Sequence, residues 1–149
     1  MAPAERDRAE TALHEGQTTT RVRYPETDRM GIAHHTHYFT WFELGRTELM
    51  RRLGCTYGEL EERSGIFFPV VEASADFRAS ARYDEVVTIT TRLVRASGVR
   101  VRFTYVITRE DGTVLATGRT EHASVDGQGR PQRLPGALQR RLAGRERDA

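Results

Sequence analysis

The chain has 149 residues, the size of one domain, and a domain this long hides roughly 68–70% of its unfolded surface without needing a staple. A formal net charge of +2, from 23 basic and 21 acidic residues, describes a mixed-charge surface and excludes a nucleic-acid footprint. No run approaches the ~18 apolar residues of a membrane span. Met1 to Gly16 lacks the apolar segment of a secretion signal. The lone Cys55 can form no internal disulfide and has no nucleophile signature around it, so a reducing cytoplasm is the expected address.

In chain order, residues 1–16 are polar and read as a loose arm or frayed helix, and 143–149 read as a polar tail, leaving one domain over 17–142. Gln17 to Tyr24 is β-branched and alternating, a first strand. Pro25, Asp28 and Gly31 then break the pattern. His37 to Leu53 is the strongest helix: Tyr38, Trp41, Phe42, Gly45, Leu49 and Leu53 form one apolar stripe, Glu48 and Arg52 are placed as an i,i+4 pair, and Gly54 supplies a left-handed stop. Gly45 is disfavoured by about 1 kcal/mol inside a helix, which points to close packing on a sheet, with close approach to a substrate or a partner helix as the alternative. Thr56, with Glu59 three residues on, opens a short second helix that Gly65 ends.

The period then changes. Ile66 to Ala79, Glu85 to Ala96, Val99 to Arg109 and Val114 to Asp126 are strand-like, with tight turns at Ser97-Gly98 and Asp111-Gly112. Val99, Val101, Phe103, Tyr105 and Ile107 alternate with Arg100, Arg102, Thr104, Val106 and Thr108, the pattern of a half-buried antiparallel strand. A weak helical patch surrounds Leu138 and Leu142. The simplest way to bury the helix stripe and one sheet face together is to wrap the sheet around the helix, an α+β architecture.

Chemistry concentrates between Tyr24 and Glu43. Asp28 lies in a loop, and seven residues later the main helix begins. A helix entry offers unpaired N–H groups and a positive dipole end, the parts needed to polarise a carbonyl and hold an oxyanion. A carboxylate nearby can attack the carbonyl carbon or activate water. A thioester suits this pairing because its thiolate leaves with little acid help. Asp28 could equally be only an Asx-turn residue. His34, His35 and His37 could suggest a metal site, but their spacing shares no face well and no acid is placed to join them, so no metal is expected. Glu43 is an alternative base or a surface partner of an arginine. Tyr38, Trp41 and Phe42 read as core, with one lining a substrate pocket. Arg78, Arg82 and Arg133 are cations that could meet phosphates.

The string Tyr24, Thr27-Asp28, Gly31, His35, Tyr38, Trp41-Phe42-Glu43, Arg46 and Glu48, followed by Phe77, Tyr83-Asp84 and the closing Asp126-Gly127 to Arg133-Leu134-Pro135, resembles the hotdog-fold thioesterases of the 4-hydroxybenzoyl-CoA and Tol–Pal-associated acyl-CoA type. The resemblance spans roughly residues 18–142. It implies a hotdog fold, dimers or tetramers with sites at the dimer interface, no cofactor, and acyl-CoA hydrolysis. It also implies Asp28 as the catalytic aspartate, the His35 backbone N–H at the thioester oxygen with its side chain as a further functional group in one branch, and Tyr24, Gly31, Tyr38 and Trp41 around the substrate. Ala33-His34 departs from relatives, which more often carry Val with Tyr or Trp there; this bears on the acyl pocket. Two other functions fit less directly: hydrolysis of a chain bound to an acyl carrier protein, and non-catalytic acyl-CoA sensing, for which a loop acid has no use.

Overall fold

In the computed structural model, which describes residues 10–144, the strand and helix patterns resolve into one antiparallel sheet and three helices. The strands are β1 (His14–Arg21), β2 (Val70–Phe77), β3 (Val86–Ser97), β4 (Arg100–Arg109) and β5 (Val114–Ala123), ordered β1-β3-β4-β5-β2 across the sheet. The helices are α1 (Thr36–Arg52), α2 (Tyr57–Ser64) and α3 (Gly136–Leu142). The sheet curls around α1, the hotdog arrangement that the resemblance implies.

β1 starts at His14, inside the expected arm, because His14, Glu15 and Gly16 pair with Leu93, Arg92 and Thr91 of the neighbouring strand β3. Pairing with a neighbour outweighs the weak strand propensity of those residues. At the other end Leu138 and Leu142 are buried on the face of α3 that meets the core. Residues 1–9 and 145–149, where the rest of the arm and tail fall, lie outside the described residues. β2 begins at Val70 rather than Ile66: Pro69 has no N–H for the ladder, and Phe67 before it forms only an isolated bridge with Val125.

The buried face of α1 is Tyr38, Trp41, Phe42, Gly45, Leu49 and Met50. Gly45 lies directly on β3. A Cβ there would come within 2.7 Å of Ile89 Cγ2 and closer still to Thr91 Oγ1. Phe42 stacks on Tyr105 with ring centroids 4.4 Å apart, and its ring fills the space that a side chain at Gly118 would need. Glu48 pairs with Arg51 instead of Arg52; the Arg52 guanidinium donates to the Gln17 carbonyl of β1 and so ties the end of the helix to the sheet. Gly54 ends α1 at φ +77°, with the Cys55 N–H closing back on the Met50 carbonyl at 2.9 Å. As expected, Thr56 Oγ1 accepts from the Glu59 N–H at the start of α2.

One polar chain runs through the core. His122 Nδ1 faces the Phe68 carbonyl at 3.1 Å, so that nitrogen carries the proton. Nε2 of the neutral ring then accepts from Thr120 at 2.8 Å, and Thr120 accepts from the Tyr105 hydroxyl at 2.6 Å. Burial holds the imidazole down to about pKa 4. On the other sheet face, Arg102 and Glu121 stand opposite each other on β4 and β5 and pair at 2.6 Å.

Candidate active site

Residues Tyr24–Glu26 make a single 3-10 turn, with Pro25 setting its backbone. The chain then folds into a tight loop. Thr27 bridges Ala33, the Asp28 N–H donates to the Ile32 carbonyl at 2.9 Å, and the Gly31 N–H returns to the Asp28 carbonyl at 3.0 Å. Gly31 has φ +77°, a conformation that a side chain would strain. The Ala33 N–H donates to the Ala81 carbonyl at 2.8 Å and anchors the loop's return leg to the segment before β3.

Asp28 is exposed, and Oδ1 accepts the Met30 N–H at 2.8 Å. The Asx turn therefore exists, but it occupies one oxygen; among the described residues Oδ2 has no hydrogen-bond partner. At the entry to α1, the His37 and Tyr38 N–H groups are taken by the carbonyls of His34 and His35, and the Thr36 N–H faces His34 Nδ1. The His35 N–H has no partner among the described residues. His35 caps the helix without a side-chain bond.

Asp28 and His35 line one cleft of about 480 Å³, walled by Ile32, Ala33, His34 and Tyr38 on one side and by Phe77, Arg78, Ala79 and Ser80 on the other. Tyr38 is buried beneath it. Its hydroxyl accepts the Ala81 N–H at 3.2 Å, and burial raises its pKa. Phe77 at the end of β2 packs edge-on to Tyr38 at 5.1 Å and His35 at 6.2 Å. Asp28 also borders a second open hollow, with Tyr24, Thr27, Arg29, Gly31 and Tyr83. Tyr24 and Tyr83 meet there edge to face at 5.8 Å and are both largely exposed.

Asp28, His35 and Tyr38 thus share the first cleft, and Tyr24 and Gly31 border the second. Trp41 reaches neither: it is 2% exposed, and its indole N–H donates to Glu26 Oε2 at 3.3 Å. Glu43 is exposed on α1 and lines neither hollow. Of the arginines, Arg78 lines the cleft, whereas Arg82 and Arg133 do not. The His34 and His35 rings lie 4.3 Å apart, but among the described residues no group of three His, Cys, Asp or Glu side chains converges as a metal site would require. The carboxylate of Glu26 is buried, although nothing in the sequence marks it as a site residue. Next to Pro25 and Thr27 it is indistinguishable in sequence from a solvated acid.

An exposed loop carboxylate and a helix-entry N–H, which has no partner among the described residues, thus line one cleft. The chain belongs to the thioesterase-like superfamily, whose sequence profile matches residues 22–142. It is similar to the acyl-CoA thioesterase YbgC of Haemophilus influenzae, 29% identical over 116 residues that cover 77% of this chain and 85% of the relative. In three dimensions it resembles the DHNA-CoA thioesterase of Staphylococcus aureus, with TM-score 0.77, 34% identity and 80% of each chain covered. It also resembles the Thermus thermophilus protein TT1821, with TM-score 0.81, 42% identity, and 85% of this chain and 96% of the other covered.

Proposed function

We propose that this chain hydrolyses acyl-CoA thioesters to the free acid and CoA, with Asp28 as the catalytic carboxylate and the His35 N–H as donor to the thioester oxygen. The reading rests on one juxtaposition: a carboxylate oxygen and a helix-entry N–H, both without partners among the described residues, on the wall of a single cleft. The activities named for the YbgC and staphylococcal relatives support the same substrate class.

The thioester oxygen sits at the His35 N–H, where the positive end of α1 favours the charge that develops on it. Asp28 either attacks the carbonyl carbon, giving an anhydride that water opens, or takes a proton from the water that attacks. In both routes the tetrahedral intermediate collapses with departure of the CoA thiolate; the new oxygen of the acid comes from water in the second route, and from Asp28 in the first when water opens the anhydride at the Asp28 carboxyl carbon, water then replacing the oxygen that Asp28 has given up. In a single turnover in ¹⁸O water, an unlabelled first product acid with label in Asp28 identifies direct attack with the anhydride opened at the Asp28 carbon, the outcome that water attack on the thioester cannot give. Arg78 is the cation on the cleft wall and the first candidate for a CoA phosphate.

The test is Asp28→Asn. Asn keeps the size and can still accept the Met30 N–H, so the loop survives, while the charge that makes a base or nucleophile is gone. The expected loss in kcat is at least about 10²–10⁴-fold, with binding of a non-hydrolysable analogue retained. Activity within about tenfold of wild type, ~1.4 kcal/mol of barrier, would make Asp28 structural and move the search to the imidazoles of His34 and His35 on the cleft wall. Parallel kinetics on acyl-CoA and acyl-carrier-protein substrates separate the two acyl donors.

The working form is at least a homodimer, with a tetramer as the larger alternative. β2 is an edge strand with Val70, Val71 and Phe77 exposed, and Phe77 is also a wall of the cleft. An antiparallel edge of this kind can pair with its own copy, which covers the apolar side chains and encloses the site. Light scattering that shows a monomer at micromolar protein would refute this. Among the described residues no helix is long and apolar enough to cross a membrane. A cytoplasmic address accords with the free, buried Cys55.

A further inference from the structure

We propose that Glu26 is the positioning residue of this site, fixing the Asp28 loop against the entry of α1; the proposal rests on the roles given above to Asp28 and His35. Glu26 is a carboxylate at 4% exposure, and both of its oxygens are engaged. Oε1 accepts the Arg23 N–H at 2.7 Å and lies 3.5 Å from the Arg23 guanidinium, at the end of the segment leaving β1. Oε2 accepts the indole N–H of Trp41 from inside α1. The Glu26 carbonyl accepts the His34 N–H at 2.9 Å. One residue therefore grips the strand exit, the body of the helix and the residue immediately before His35. Asp28 follows after Thr27, which is itself bound twice to the Tyr24 carbonyl, through its N–H at 3.1 Å and its hydroxyl at 2.7 Å. No freely rotating link remains between the Glu26 clamp and the Asp28 backbone.

Burial makes the clamp directional. A buried carboxylate is costly unless its oxygens are paired, so both donors are held to it. An apolar side chain of the same volume could fill the space but could not direct the Arg23 and Trp41 N–H groups. The Asp28 side chain, by contrast, is exposed and makes a single hydrogen bond among the described residues. Its placement against the His35 N–H comes from the backbone that Glu26 holds. A misplacement of about 1 Å at a reacting group can lower the rate on the order of 10²-fold, so loosening this clamp acts on kcat.

The test is Glu26→Gln in the full chain, alone and combined with Asp28→Asn. Gln keeps one acceptor but turns an NH₂ toward one of the two N–H donors, so one bond is lost while the volume is kept. The single variant should lose about tenfold or more in kcat with KM changed less than about threefold. In the Asp28→Asn background Glu26→Gln should cause no further loss beyond about twofold, because the group it positions is already gone. The chain has one tryptophan, so a single indole N–H resonance reports the clamp; in Glu26→Gln it should shift upfield and exchange faster. Where Glu26→Gln yields too little folded protein, Trp41→Phe removes the donor from the helix side and should give the same kcat loss and the same non-additivity. A folded Glu26→Gln with a shifted indole signal and kcat within about threefold of wild type would overturn the proposal. So would an equal fold loss in both backgrounds, which marks a residue that matters only for folding. An active Asp28→Asn variant is a separate failure, of the catalytic reading itself.

Discussion

Gly45→Ala sets two opposed effects against each other. In an exposed helix the change would stabilise by about 1 kcal/mol, because glycine is the poorer helix former. Here the new methyl would sit 2.7 Å from Ile89 Cγ2 and nearer still to Thr91 Oγ1, both on fully buried residues of β3. Ordinary carbon contacts fall at about 3.5–4.0 Å, so the helix or the strand must give by about an ångström. Overpacking of this kind costs typically about 1–3 kcal/mol, occasionally more; the obstructing atoms belong to short, β-branched, fully buried side chains of a paired strand, so the upper end applies. The net expectation is a loss of about 2 kcal/mol, or roughly 4–8 °C in Tm at this chain length. Thermal melts and urea titrations on the variant read it directly. Thr91→Ala removes the nearest obstacle, so the double variant should be less destabilised than the sum of the singles by about 1 kcal/mol. A Tm at or above wild type for Gly45→Ala would show that α1 does not rest on β3 at this point.

Three further expectations come from other parts of the molecule. His35→Ala leaves the backbone N–H in place, so activity should fall less than in Asp28→Asn; equal inactivity in steady-state assays would give the imidazole itself the proton-transfer role. Burial holds His122 at about pKa 4 against an ordinary 6.5, so the unfolded chain binds the extra proton first: this contribution to stability is complete above about pH 6.5, shrinks as the pH falls, and amounts to about 2 kcal/mol lost by pH 5. Urea midpoints at pH 7.5 and 5 should show this slope, and His122→Gln should flatten it. Phe42→Ala empties the space between Tyr105 and Gly118 and should cost about 3–5 kcal/mol, measured as a drop in urea midpoint without a change in m.

What is local in this protein is written in its sequence. The period-2 strands, the apolar stripe of α1, the Thr56 cap and the glycine stops at Gly54 and Gly65 are each decided within a few residues by sterics and hydrogen bonding. Asp28 was also recognisable as a candidate acid, because a motif of loop acid and helix entry is contiguous in the chain. Distant partners were not recognisable. Arg52 bonds to Gln17 rather than Glu48 only because β1 passes beneath the end of the helix. β2 joins the far edge beside β5, although it precedes β3 in the chain, and so Phe77 becomes a wall of the site. Trp41 reads as one more residue of an apolar stripe, and Glu26 as one more surface acid. Folding brings the indole N–H onto the carboxylate across 15 residues of sequence, and burial, which no local pattern encodes, makes that bond strong enough to hold a loop.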